Sequence, residues 1–206
     1  PTGSRVDMES SDVATQEAPT ERGRKRREQI IEAATGLFDV QGFHAASIDE
    51  IGAAAGITGP GLYRHFASKD EILLAVFDRI WELLRSSIDR TEGLTPEAAL
   101  DDLIGTHITL ALDHGEALML LVREKRHVPE YYQRAAERND MRYTDAWAEV
   151  IIKMHPALTL DEARAAAHAV MGLIGSAARD NAGYQIPAAR HRSMLLDLAK
   201  AALKAF

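Results

Sequence analysis

Apolar side chains recur three and four residues apart along almost the whole chain, and no stretch alternates apolar with polar residues over the length of a strand. That periodicity restricts the chain to helices packed on helices. With 206 residues, 46% of them hydrophobic and 27% charged, there is material for one large domain or two small ones. Only residues 1–21, rich in Ser, Thr, Glu and Asp, lack the pattern and are expected to be disordered. The opening Pro1-Thr2-Gly3-Ser4 reads as a vector-derived remnant ahead of a natural start near Met8, with no secretory signal before the first helix.

Helix signals divide the rest. A first helix is expected over 22–41, with Ile30, Ile31, Ala34, Leu37 and Phe38 on one face and Gly42 as a left-handed stop. Three capping boxes follow, Ser47…Glu50, Ser68…Glu71 and Thr159…Glu162, each pairing a hydroxyl and a carboxylate with orphan amides. Between the first two, Gly56 allows a sharp turn, and Thr58 caps a short helix with Pro60 in its first turn. Further helices are expected from 68 through Ile88, over 96–113, 116–127 and 129–155, from 159 to about 181, and over 187–206.

Two short helices joined by a tight glycine turn and braced by a preceding helix form a helix-turn-helix. Gly52 and Ala55 are small where the short helices should cross, and Ile48, Ile51, Ile57, Leu62 and Phe66 can bury against Leu37 and Phe38. Tyr63, Arg64, His65 and Lys69 are left as a polar set able to reach phosphates or bases. Upstream, Arg22-Gly23-Arg24-Lys25-Arg26-Arg27 places five cations at a helix N-terminus, where they oppose the macrodipole. A polyanionic partner for Arg24, Lys25, Arg26 and Arg27 explains that placement better than a solvated tail, although the net charge is −7.

The run "GFHAASIDEIGAAAGITGPGLYRHFASKDEILLAV" resembles the DNA-binding segment of the tetracycline-repressor (TetR) family, with the similarity covering about residues 26–80. The resemblance implies an all-α protein: a three-helix helix-turn-helix DNA-binding domain at 22–67 and a helical ligand-binding and dimerisation domain at 68–206. It implies that Ser47, Thr58, Tyr63, His65 and Lys69 contact phosphates while Pro60, Gly61 and Arg64 face base edges. Two positions depart from the pattern: Gly59 stands where a lysine or other polar residue is frequent, and Gly52 where alanine is common. The implied function is a regulator, by default a repressor, released from a palindromic operator by a small effector. The rival reading is a helical small-molecule carrier or adaptor with a merely structural helix-turn-helix.

In the second part, an apolar or amphipathic ligand is expected among His107, Leu110, Met119, Arg123, Tyr132, Trp147, Val150, Met154, His168 and Met171. The aromatic and methionine members serve equally as core, and Arg123 to Arg126 also reads as a solvated helix end. Residues 165–178 carry only small or apolar side chains and His168, so one face should meet the protein's own domain and the other a second copy. The expected dimer contacts are Val170, Gly172, Ile174, Gly175, Met194, Leu195 and Leu198. No nucleophile elbow, phosphate loop or H-E-x-x-H occurs, so no enzyme and no cofactor are expected. His107 and His114, seven residues apart, stand roughly 10 Å apart along a helix, too far to share an ion unless histidines from other helices converge. No metal site is therefore assigned. The absence of cysteine and of any membrane-length apolar run agrees with a cytoplasmic protein that has no membrane partner.

Overall fold

A computed structural model describes residues 20–179 and 186–204. Of the stretch 1–21 expected to be disordered, 1–19 lie outside the described residues, as does the end expected at 206, whereas Thr20 caps α1 and Glu21 opens it. Among those described there are helices and turns but no strand: α1 Glu21–Gln41, α2 Ile48–Ala54, α3 Gly59–Leu62, α4 Lys69–Arg90, α5 Pro96–Asp113, α6 Gly115–Glu124, α7 Glu130–Met154, α8 Leu160–Gly175, a 3-10 turn Ser176–Arg179, and α9 Ala188–Leu203.

The small unit consists of α1, α2 and α3 around Ile30, Ala34, Phe38, Ile51, Leu62 and Phe66, all almost fully buried. Gly42 closes α1 with its N–H on the Phe38 carbonyl, at φ 85° and ψ 154°. The positive φ requires glycine, but the backbone turns extended rather than entering the left-handed helical basin. Two of the three expected capping boxes form, at Ser47 and Thr159. At Ser68 only half of one forms. Its hydroxyl accepts from the Glu71 N–H, but the Glu71 carboxylate takes the Ala67 N–H at 2.6 Å instead.

Helix α4 packs on α1 at one end and on α5, α6 and α7 along its length, so it belongs to both units. The larger body is α5, α7 and α8 packed on one another, with α9 against α5 and α8. Helix α6 ends at Glu124, three residues short of expectation. Pro129 disfavours helical backbone at Val128, and Val128 is itself buried, so the chain leaves the helix early to seat it. Helix α8 likewise ends at Gly175, where the chain tightens into the 3-10 turn. That turn lies on Gly115, where a Cβ would come within 3.3 Å of Ala178 Cα.

Candidate DNA-binding and ligand sites

The crossing of α2 and α3 brings two glycines close to other atoms, backbone at Gly52 and the movable Asp49 carboxylate at Gly59. A Cβ on Gly52 would stand 3.0 Å from the Ile57 carbonyl, and one on Gly59 would stand 2.3 Å from Asp49 Oδ1. Thr58 caps α3 by accepting from the Gly61 N–H at 3.2 Å. Ser47 accepts from the Glu50 N–H and donates to its carboxylate at 2.7 Å, which holds the Glu50 pKa below its ordinary value. With the helix ends fixed, Pro60, Tyr63 and Arg64 face solvent, and Tyr63 is 56% exposed. Gly61 and His65 are half-buried beside them.

The remaining expected DNA contacts are engaged within the protein. Lys69 Nζ donates to the carbonyls of Ala46 (2.9 Å) and His44 (3.2 Å) and lies over the Phe43 ring. These loop carbonyls have no helical partner, so the ammonium holds the α1–α2 turn to the start of α4. In the basic run, Arg24 and Lys25 pair with Glu21. Arg26 donates to the Ala55 carbonyl at the end of α2 (3.2 Å), and Arg27 stacks 4.1 Å above the Phe66 ring. Arg26 and Arg27 thus brace α1 against the helix-turn-helix. Arg24 and Lys25 stay largely exposed in their pairs with Glu21.

The ten expected ligand residues do not share one cavity. His107 and Trp147 meet at 6.2 Å between ring centroids, joined by Tyr143, in the seam of α5 and α7. Trp147 has no exposed surface and its indole Nε1 lacks a hydrogen-bond partner among the described residues, so it is core. Burial pushes the His107 imidazole down to about 4 and the Tyr143 phenol above its ordinary range. Tyr132 donates to Asp78 Oδ1 at 2.8 Å and ties α7 to α4. Arg123 pairs with Asp39 at 3.2 Å, outside any interior. His168 is exposed on the outer face of α8, Val150 is buried, and Met119, Met154 and Met171 are half-buried at the edge of the core.

A cleft of about 920 Å³ lies elsewhere, between α1 and α4 on one side and the α5–α6 junction, the 3-10 turn and α9 on the other. Of the ten residues only Leu110 lines it. Its walls come from five segments remote in sequence, so no local pattern in the sequence could mark it.

The expected dimer residues divide by face. Val170, Ile174 and Leu195 are buried within their own chain, because the body is wide enough to cover one flank of α8 and α9. Gly172 and Leu198 face out, and a Cβ at Gly172 or Gly175 would meet nothing within 4 Å. Met194 is half-buried.

A three-helix unit presenting bare backbone and polar tips, carried on a larger helical body, defines a helix-turn-helix DNA-binding regulator. Comparison with known proteins narrows that class. Residues 30–76 match the family model described as bacterial regulatory proteins, tetR family. The transcriptional regulator CymR of Pseudomonas putida is 30% identical over 141 residues, covering 64% of this chain and 68% of CymR. The transcriptional activator FasR of Mycolicibacterium smegmatis is 45% identical over 78 residues, 34% of this chain and 36% of FasR. The chain belongs to the TetR family, whose members are regulators of transcription rather than enzymes. It spans less than half the length of the first curated relatives it matches. The fold is shared with AibR, solved in complex with isovaleryl coenzyme A and operator DNA, at 17% identity and a TM-score of 0.69 over 84% of this chain and 97% of that one. No described helix is long and apolar enough to cross a membrane.

Proposed function

We propose that two copies of this chain bind a palindromic operator as a repressor and release it when a small apolar or amphipathic effector binds the helical body. The observation that carries the reading is the outward surface of α3 and its following turn. Pro60, Tyr63 and Arg64 lie exposed there, on a helix whose own Gly59 and Leu62 are buried. Support for the second copy comes from the outward flank of α8 and α9, where Ala165, Ala169, Gly172 and Leu198 lie exposed. A two-fold pair would set its recognition helices in successive major grooves, about 34–36 Å or a multiple apart.

The effector site we favour is the 920 Å³ cleft, whose size suits a small ligand. Its walls combine Val76, Ile80 and Leu110 with Arg79, Glu82 and Arg192, which fits a molecule with an apolar body and a polar end. The cleft lies against α1 and α4, so filling it would favour one setting of the DNA-binding unit over another. Moving the pair from mostly binding-competent to mostly incompetent requires the effector to prefer the second state by about 5.5 kcal/mol. AibR, bound to an acyl coenzyme A as well as an operator, supports acyl compounds as the first class to screen.

Selection of bound DNA from a random pool tests the reading. It should return a palindrome, and Arg64→Ala should relax the preference at one symmetric position by roughly 1–3 kcal/mol. Non-palindromic or unenriched sequences would overturn it in favour of the carrier reading.

A further inference from the structure

Two of the eight histidines, 83 positions apart, meet a glutamate where the small unit touches the body. His44 lies in the turn after α1, and His127 in the turn after α6. Packing of α6 against α1 brings those turns together. One ligand atom from each of His44, Glu124 and His127 falls within 4.8 Å of the others. We infer that these three side chains form a binding site for a single borderline divalent cation, Zn²⁺ being the best fit, which joins the DNA-binding unit to the body.

The distances carry the first part of the case. His127 Nδ1 stands 3.2 Å from Glu124 Oε2. Two ligands of one tetrahedral zinc, each bound at about 2.0–2.1 Å, are separated by about 3.3 Å. That edge of a coordination polyhedron is therefore already set. Bringing the third atom in from at most 4.8 Å takes about 1.5 Å, and both histidines are exposed on turns.

The surroundings carry the second part. The Glu124 side chain is only 12% exposed, while its sequence neighbours Arg123 and Lys125 are drawn away to Asp39 and Asp140. The carboxylate is thus shielded from water and left facing imidazoles rather than cations. Lys69 donates to the His44 carbonyl at 3.2 Å, which holds the turn that carries the imidazole. Two imidazoles and one carboxylate suit zinc, cobalt or nickel over magnesium or calcium, and water completes the set. Metal binding does not depend on the chain being a repressor, whereas any consequence for DNA does.

The test titrates the chelator-treated full chain with Co²⁺, read by its visible ligand-field absorption, and with Zn²⁺ in competition. We expect one equivalent per chain. His44→Ala, His127→Ala and Glu124→Gln should each lower affinity at least tenfold, while His168→Ala leaves it unchanged. Zn²⁺ should raise the melting temperature of the parent but not of His44→Ala. The two histidine variants alter exposed side chains, so they decide the matter even if Glu124→Gln fails to fold. No binding at micromolar metal, or undiminished affinity in His44→Ala, overturns the site.

Discussion

Gly52 lies where α2 meets the start of α3, and two effects oppose each other there. Alanine would gain roughly 1 kcal/mol of helix propensity, while its Cβ would press on the Ile57 carbonyl at 3.0 Å. We therefore expect Gly52→Ala to shift urea-unfolding stability by less than about 1 kcal/mol, and Gly52→Val to cost about 1–3 kcal/mol through overpacking. His107 gives a residue-scale prediction of a different kind. Burial lowers its pKa from 6.5 to about 4, so between those pH values the unfolded chain binds a proton that the folded one excludes. Stability is complete above pH 6.5 and falls as pH drops towards 4, by on the order of 3 kcal/mol for this group. His107→Gln should flatten that part of the stability–pH curve, and an unchanged slope would refute the assignment. At this scale the sequence was only partly legible. Ser47 and Thr58 stand where their spacing placed them, but Lys69 is engaged by two carbonyls from a turn more than twenty residues upstream, a partnership that no local pattern encodes.

Helix starts were readable because their signals are local: a hydroxyl, a carboxylate three residues later, and an apolar run. Thr159 bonds Glu162 in both directions, and Thr159→Ala should lower stability by about 0.5–2 kcal/mol in denaturant titration. Helix ends were less readable. Helix α6 stops at Glu124 to seat Val128, and α8 stops at Gly175 so that the 3-10 turn can rest on Gly115. Both stops answer to distant contacts. The same limit applies to faces: the small-residue run of α8 announced burial on two sides, but which of Val170, Gly172 and Ile174 looked inward depended on where α5, α7 and α9 came to lie.

At the scale of the molecule, the proposed pairing makes Leu198 a discriminating position. It is 51% exposed in one chain, so Leu198→Glu should leave the helical circular dichroism intact while shifting sedimentation from dimer to monomer at micromolar concentration. A parent protein that is already monomeric would remove the pairing altogether. Helix α4 sets the scale on which such a pair could respond. It runs unbroken for 22 residues from Lys69, beside the recognition unit, to Arg90, whose guanidinium is clamped by Asp102 of α5. A rod of that length spans about 33 Å, so pivoting by ~5° at the clamped end sweeps the other through roughly 3 Å. Two such arms moving in opposite directions would change the span between reading heads by up to about 6 Å, a sizeable misfit against a helical repeat of about 34 Å. In the proposed pair the stiff helix would act as a gear: angular adjustments too small to disturb a close-packed interior would be delivered at the far end as a stride that rigid duplex geometry cannot follow.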